Sequence, residues 1–247
     1  MSNIIPVAKK REVAQFIQQN QDKLLASLPK GVDRDRFVAI SLQAIAKVPA
    51  LFSCDKASLF GALVQSVSLG LEPNGPLGEA YILPYGKTAN FQMGFRGMIK
   101  LIEKSGLVSY VEAVSVDAAD EFSVKRGLNP DIIHVPSPNP TGEFHAVYAI
   151  ARFKDGNTKF EVMFRNDVEM IRSKSKSGNS GPWKEFYNEM AKKSCVRRLF
   201  KMVAVSSEIE RAIVLDERAD AGVSQDFDVD FGDVEEVDNN AKAKGLL

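Results

Sequence analysis

The 247-residue sequence has few of the residues that carry covalent or metal chemistry, with two cysteines, two histidines and one tryptophan. Cys54 and Cys195 are far apart and lie in apolar, helix-like patterns, which is typical of buried thiols and argues against a disulfide or a metal pair. His134 and His145 have no cysteine or carboxylate at ligand spacing, so structural histidines are favoured over a metal site or a general base.

Nucleotide-binding and nucleophile motifs are also missing, since neither G-x-G-x-x-G nor G-x-S-x-G occurs. Gly86-Lys87-Thr88 resembles the end of a phosphate-binding loop, but that motif requires glycine five positions before Gly86, where Tyr81 stands in a predicted strand. We therefore expect no ATP site, no metal and no cofactor, and no enzyme activity.

Long apolar runs are absent, and none approaches the ~20 residues of a membrane span. The N-terminal sequence MSNIIPVAKKREVAQF is polar and lacks the apolar core and cleavage site of a signal peptide. These two absences argue against secretion and membrane insertion, and we expect a cytoplasmic protein.

The formal net charge is zero, but the charges are unevenly distributed. Residues 216–247 contain ten Asp/Glu and three Lys/Arg, whereas the preceding 215 residues contain 22 and 29 respectively. A basic body with an acidic tail is typical of a protein that binds a polyanion. The tail lacks a core-forming period and is predicted to be disordered, acting either as a solubilising end or as an internal mimic of DNA.

Residues 69–106 organise the fold, because a helix end, a β-hairpin and a second helix follow one another there. Glu79–Tyr85 and Ala89–Phe95 are aromatic-rich predicted strands, separated by Gly86-Lys87-Thr88. Tyr81, Tyr85, Phe91 and Phe95 could stack on bases, but core packing is the alternative, and alternation predicts two or three of them in the core.

The rest of the chain predicts an α+β fold in three parts. Residues 1–30 are an N-terminal helix with possible subunit contacts, 31–220 a nucleic-acid-binding core, and 221–247 the disordered tail. Within the core we expect helices and an antiparallel sheet that contains the hairpin. Predicted helices cover 11–28, 33–48, 55–69, 183–205 and 208–219; predicted strands cover 107–116, 121–124, 143–153 and 159–164; residues 130–140 form a Pro-rich connection.

The predicted helix that begins at Trp183 is long and basic. Lys193, Arg197 and Lys201 stand four apart and therefore lie on one face, flanked by Lys192 and Arg198. Residues 165–201 hold ten Lys/Arg against four Asp/Glu. Such a row can bind phosphates, although composition alone is equally consistent with a solvated basic helix face.

Two segments resemble a known family. LGLEPNGPLGEAYILPYG followed by FQMGFRGMIKLIEKSG, and later GPWKEFYNEMAKKSCVRRLFKM, resemble the RecT family of phage and prophage single-strand DNA annealing proteins, over roughly residues 35–215. The resemblance implies a RecT/Red beta-like annealing fold with N-terminal helices and a long basic C-terminal helix. It also implies binding of single-stranded DNA without strong sequence preference, and annealing of a complementary strand without ATP.

The same resemblance implies a homo-oligomeric ring or helical filament, a phage exonuclease and a host single-strand binding protein as partners, and a bacterial host cytoplasm. We predict DNA contacts from side chains on the hairpin, the following helix and the basic C-terminal region. These are Tyr85, Lys87, Phe91, Gln92, Arg96, Lys100, Lys174, Lys176, Trp183, Lys192, Lys193, Arg197, Arg198 and Lys201.

Two alternatives from other classes stay open. A coat protein would bind single-stranded nucleic acid without annealing it. A metal-dependent nuclease would use Asp117, Asp120 and Glu121 with a divalent ion, although acidic residues are common at a strand-to-turn boundary such as this one.

Overall fold

The computed structural model describes residues 33–203 and 206–225, together with residues 15 and 227. The predicted helix over 11–28 and most of the predicted tail 221–247 lie outside the described residues. In the described part of the chain, no helix is long and apolar enough to cross a bilayer.

Two helices lie near the start of the described chain, as predicted, and a short 3₁₀ helix that was not predicted lies between them. Asp33 caps the first helix by accepting a hydrogen bond from the Arg36 N–H at 2.7 Å, and Asp55 caps the second by accepting one from the Ser58 N–H at 2.8 Å. These elements are helix α1 (Arg34–Lys47), the 3₁₀ helix Pro49–Ser53, and helix α2 (Lys56–Ser68).

The predicted hairpin and following helix are present, with the strand ends moved by one or two residues. Strand β1 (Ala80–Tyr85) pairs antiparallel with β2 (Thr88–Met93), and helix α3 (Phe95–Lys104) follows. Because Tyr85 is paired with Thr88, the turn contains only Gly86 and Lys87, and Gly86 has a φ of +65°. A left-handed backbone at this turn suits glycine.

Helix α3 begins very close to the backbone that precedes β1. A Cβ atom placed on Gly97 would lie 2.1 Å from the Glu79 carbonyl oxygen, and one on Gly94 would lie 1.9 Å from the Gly78 carbonyl oxygen. Both glycines are therefore required by close approach, and they fix the helix against the hairpin.

A second antiparallel sheet has the order β3-β6-β7, and a separate two-stranded sheet is formed by β4 and β5. The strand β5 corrects the prediction of an irregular Pro-rich connection over 130–140. Its side chain Ile132 packs in a small apolar cluster with Phe122, Val116 and Tyr148, while the prolines flank the strand. The strands are β3 (Val108–Asp117), β4 (Glu121–Lys125), β5 (Asp131–Val135), β6 (Phe144–Phe153) and β7 (Thr158–Phe164).

Four helices complete the described chain, and they correct the prediction of one long helix over 183–205. The helical run is interrupted at Phe186, whose backbone has a φ of −135° and a ψ of 52°, and it ends at Phe200. The long basic C-terminal helix is thus two shorter helices. The four are α4 (Arg165–Lys174), α5 (Pro182–Glu185), α6 (Tyr187–Phe200) and α7 (Ser207–Ala221).

One main apolar core joins the helices and strands, and the fold is α+β as predicted. Helix α6 packs against β6, β7, β3 and α3, whereas β2 contacts both α2 and α7. The fully buried Phe91, Met93 and Phe200 belong to the same apolar cluster. Side-chain contacts of α7 with β2 and with α6 bring these three elements together.

Candidate nucleic-acid interface

A groove of about 340 Å³ lies between α4, α6 and α7. Its lining includes two carboxylates, Glu217 and Asp220, and the indole of Trp183, which is itself almost fully buried. Five of the residues that the sequence predicted as DNA contacts converge here. They are Lys174, Trp183, Arg197, Arg198 and Lys201.

Three of the groove cations are accessible to a ligand. The side chains of Arg198 and Lys201 are 45% and 54% exposed, and their carboxylate partners among the described residues are Glu161 at 3.5 Å and Glu217 at 2.6 Å. Exposed ion pairs contribute roughly 0–1 kcal/mol, so a phosphate can compete with these carboxylates at low cost. Lys174, the last residue of α4, is the third and is also exposed.

In the predicted row of Lys193, Arg197 and Lys201, the first two side chains are buried. Lys193 and Arg197 are only 6% and 9% exposed, because α7 packs over them. Lys193 Nζ lies 3.0 Å from Asp216 Oδ1, and Arg197 Nη2 lies 2.8 Å from Asp216 Oδ2. Helical spacing placed the cations on one face correctly, but that face is covered by the acidic side of the next helix.

Asp220 is the second acid of this cluster, one turn after Asp216. Arg197 Nη2 donates to Asp220 Oδ2, and Lys193 Nζ lies 3.7 Å from Asp220 Oδ1. Burial alone would lower the pKa of Arg197, but the carboxylates of Asp216 and Asp220 outweigh it and raise this pKa. Burial alone would raise the pKa of Asp220, yet Lys193 and Arg197 hold it below its usual value. Arg197 and Asp220 are therefore both charged at neutral pH.

The cluster extends to the hairpin through three consecutive residues of β2. Asp216 Oδ1 accepts the Met93 N–H at 2.8 Å, and Asp220 Oδ1 accepts a hydrogen bond from the Gln92 side-chain amide. Gln225 accepts the Phe91 N–H at 2.7 Å and donates to the Phe91 carbonyl at 2.6 Å. Side chains from α7 and the segment after it thus satisfy the β2 edge, where another strand would otherwise pair.

The hairpin aromatics divide between core and surface. Phe91 is fully buried, Tyr85 and Phe95 are half-buried, and Tyr81 is 40% exposed. The Lys176 ammonium lies 5.4 Å from the centre of the Tyr85 ring, so two predicted contacts meet beside the ion cluster. Burial raises the pKa of Tyr85, and the nearby Asp220 and Asp216 raise it further.

The other predicted cations do not line the groove. Lys87 lies in the hairpin turn and Arg96 is exposed in the first turn of α3. Lys100 is bound to the Glu79 carboxylate at 2.8 Å, and Lys192 is held by its own helix neighbour, Glu189, at 2.9 Å. These four residues belong to the outer surfaces of α3, α6 and the hairpin.

A second groove, of about 590 Å³, was missed by the sequence reasoning. Arg172 lies 5.9 Å above the Tyr187 ring, whose centre is 5.1 Å from that of Phe144 and 6.0 Å from that of Trp183. Arg165 donates to the Phe144 carbonyl at 2.9 Å. The basic stretch 165–201 marked this region, but nothing in the spacing separated Arg165 and Arg172 from solvated cations.

The acidic residues considered for a nuclease have structural partners. Asp117 accepts hydrogen bonds from the N–H groups of Ala119, Thr141 and Gly142, and these bonds, with one from the Thr141 hydroxyl, lower its pKa to about 2. Asp120 accepts the Ser137 N–H and lies 3.0 Å from His134 Nε2, and both partners lower its pKa. Within residues 33–203 and 206–225, no three His, Cys, Asp or Glu side chains form a group that could hold a metal ion.

Both cysteines are free thiols, and the predicted burial is complete for Cys195 and partial for Cys54. Cys195 is fully buried on α6, where burial raises the pKa of its thiol to about 12, and Cys54 is partly buried beside α2. Neither contributes to the groove.

Comparison with known proteins assigns the class. The family model described as the RecT family matches residues 35–230, so the chain belongs to this family of DNA recombination and annealing proteins. The match covers α1 through α7 and therefore includes the groove, the ion cluster and the hairpin.

Two relatives are similar over most of the chain. Protein RecT of Escherichia coli (strain K12) is 42% identical over 250 residues, an alignment that covers 96% of this chain and 93% of that protein. Uncharacterized protein YqaK of Bacillus subtilis (strain 168) is 25% identical over 183 residues, covering 72% of this chain and 63% of that protein.

Proposed function

We propose that this protein binds single-stranded DNA without strong sequence preference and anneals it to a complementary strand without ATP. The observation that carries the proposal is the groove between α4, α6 and α7, where four cations and a buried indole converge in a chain of the RecT family. Backbone charge is the sequence-independent part of nucleic-acid binding, and lysines and arginines along a groove supply it.

The exposed groove cations Lys174, Arg198 and Lys201 are the leading phosphate contacts. Contacts to the backbone leave base edges free to test a second strand, which is what annealing requires. Tyr85, with Lys176 over its ring, supplies an aromatic face beside the groove for base contact. Trp183 is buried and lines the groove, so its role is to shape the groove wall, whereas Phe91 is buried in the main core.

The cations outside the groove extend the candidate surface. Lys87, Arg96, Lys100 and Lys192 lie on the hairpin, α3 and the outer side of α6, where they can attract a second strand electrostatically. Lys193 and Arg197 support the site from inside, where Asp216 and Asp220 balance their charge.

The assembly and partners follow from family membership as proposals. We propose a homo-oligomeric ring or helical filament whose subunit contacts use the predicted helix within residues 1–30. The partners are a phage exonuclease and a host single-strand binding protein, and the place of action is the cytoplasm of a bacterial cell that carries the phage or prophage. The acidic residues after 225 act as a solubilising end or as a DNA mimic.

The direct test is the rate at which two complementary oligonucleotides, one quenching the fluorophore of the other, form duplex with the protein in a salt series without nucleotide. Acceleration with complementary but not mismatched strands is the expected result. Tight binding without acceleration would identify a coat protein, and shortened strands in magnesium would identify a nuclease.

A matched pair of variants tests the groove. Arg198→Ala should weaken binding and reduce the salt slope of log K by about one unit, because one phosphate contact is lost. Lys125→Ala, at the end of β4, removes the same charge from an exposed position outside the groove and should leave the slope unchanged. Equal slopes for both variants would remove the groove from the proposal.

A further inference from the structure

The carboxylate of Asp220 has the surroundings of a bound phosphate. The Arg197 guanidinium and the Gln92 amide both donate to it, and the Lys193 ammonium lies 3.7 Å away. Arginine and lysine with a neutral amide donor form the kind of donor set that binds phosphate oxygens. The side chain of Asp220 is 17% exposed and lines the groove proposed for DNA.

Asp220 does not use all of the hydrogen-bond donors of Arg197. The Nε atom of Arg197 is buried, and it has no hydrogen-bond partner in the described part of the chain. A guanidinium presents five N–H donors in a fixed fork, and Nε together with an adjacent Nη can bind two oxygens of one anion. Arg197 also lines the groove, so its site could accept an anion with more oxygens than a carboxylate has.

The position of Asp220 on α7 makes it the exchangeable member of the acid pair. It lies in the last turn, one residue before the helix ends at Ala221, and Gly222 follows with a φ of +70°. A carboxylate is unfavourable at the negative end of the helix dipole, and terminal turns open at low free energy. Asp216, by contrast, is fully buried, and its carboxylate accepts hydrogen bonds from Lys193 Nζ and from the Met93 N–H.

We infer that Asp220 occupies a phosphate subsite and is replaced there by a phosphate of the DNA backbone when single-stranded DNA binds. This inference rests on the proposed function and deepens it by adding an autoinhibitory acid to the same groove. Asp216 keeps its partners during the exchange, so α7 stays attached to the core through its earlier turns.

The exchange has a second consequence in the loop after α4. The carbonyl of Asp220 accepts the Lys176 N–H at 3.0 Å, and Lys176 stands over the Tyr85 ring. Opening the last turn of α7 therefore releases Lys176 and uncovers Tyr85. A cation and an aromatic face become available at the moment a strand enters the groove.

A pair of charge-matched variants tests the affinity. Asp220→Asn removes the competing anion, and we expect it to bind a fluorescent oligo(dT) about tenfold more tightly than the wild type. Glu217→Gln removes the same charge from the same groove but breaks only the exposed pair with Lys201, and a gain of no more than about threefold is expected. Equal gains for the two variants would overturn the inference.

Hydrogen exchange of the wild-type protein tests the movement without relying on a variant. The amides of Lys176, Gly222 and Val223 are hydrogen-bonded to the end of α7, and they should exchange faster when oligo(dT) is bound. Unchanged or slower exchange at these amides would overturn the inference whatever the variants do.

The assays separate this inference from the proposed function. If the wild-type protein binds and anneals DNA but Asp220→Asn binds no more tightly than Glu217→Gln, the proposed function stands. The exchange of Asp220 for a DNA phosphate is then rejected. If the wild type does not bind oligo(dT), the proposed function fails; binding by Asp220→Asn alone would then support the autoinhibitory contact, and binding by neither would overturn it.

Discussion

Lys192 and Lys193 are adjacent on α6 and have opposite environments. Lys192 pairs with Glu189 at the surface, whereas Lys193 is 7% exposed in its side chain and pairs with Asp216, which is fully buried. Removing one partner of a buried pair leaves an uncompensated charge, whereas removing an exposed one costs little. The two lysines therefore form a natural comparison.

We expect Lys193→Met to lower the free energy of unfolding by about 3–5 kcal/mol and Lys192→Met by less than about 1 kcal/mol. Urea unfolding followed by circular dichroism measures both. Similar losses for the two variants would show that the ion cluster is not a closed, buried structure.

Asp117 gives a pH-dependent prediction. Its pKa is lowered to about 2 in the folded protein by hydrogen bonds from Ala119, Thr141 and Gly142, and an unfolded Asp has a pKa near 3.9. The carboxylate therefore stabilises the fold above about pH 4, and this contribution disappears as the pH falls towards 2.

The variant Asp117→Asn should unfold at a lower temperature than the wild type at pH 6, with the gap closing between about pH 4 and 2. The control is Asp131→Asn, at an exposed position where the carboxylate accepts a hydrogen bond from the neighbouring Ile132 N–H. A gap for Asp117→Asn that is as wide at pH 2.5 as at pH 6 would contradict this account.

Single residues also show where sequence reasoning stopped. The spacing of Lys193 and Arg197 correctly predicted a shared helix face, but exposure depends on what covers that face. Asp216 and Asp220 repeat the same four-residue spacing on α7, and this match was the available signal. The sequence does not state which two helices pack together, so the acids could not be paired with the cations in advance.

The sequence predicted the helices and strands better than it predicted which of them pack together. The hairpin β1–β2 was identifiable because its aromatic strands flank a Gly-Lys turn, and α1 and α2 because aspartates precede their apolar periods. Strand β5 was missed since prolines surround five residues, and the break at Phe186 was missed since both flanking segments have helical sequences. Both features depart from what the local sequence favours; in the case of β5, pairing with β4 along its whole length accounts for the strand.

The approach of α3 to the hairpin gives a prediction for one element. Gly97→Ala would place a Cβ atom 2.1 Å from the Glu79 carbonyl oxygen, so the helix or the backbone before β1 must move. We expect a loss of about 1–3 kcal/mol in the free energy of unfolding, as for other overpacked sites.

The control is Arg96→Ala, which introduces the same side chain at the exposed neighbouring position of α3. It should change the unfolding free energy by less than about 0.5 kcal/mol. Chemical denaturation of both variants measures the two unfolding free energies. A Gly97→Ala protein as stable as Arg96→Ala would show that α3 can shift without loss of stability.

In the chain as a whole, the α+β core is preceded by an N-terminal segment that we predict to form subunit contacts. Among the described residues, the main apolar cluster draws on positions from Phe37 to Phe227. We predict that the apolar side chains of the amphipathic helix predicted over 11–28 contact a second subunit.

Deleting residues 1–28 should reduce the mass of the assemblies measured by light scattering while leaving the circular dichroism melting curve of the core in place. Phe16→Ser combined with Ile17→Ser should reproduce the loss with the full chain length retained, because the apolar face is broken. Assemblies of unchanged mass would exclude this segment from subunit contacts.

Side chains of α7 and Gln225 cover the β2 edge, and the partly buried Phe227 packs on the core beside Gly61. These contacts determine where the chain can be cut without damage. A deletion that reaches into α7 would strip the hydrogen bonds from a sheet edge and leave Lys193 and Arg197 buried without counterions. Loss of DNA binding after such a deletion would report unfolding, not a missing contact. The role of the acidic tail can therefore be tested only with deletions that begin after Phe227. A deletion that starts earlier would unfold the core, and the resulting loss of DNA binding would be wrongly attributed to the tail.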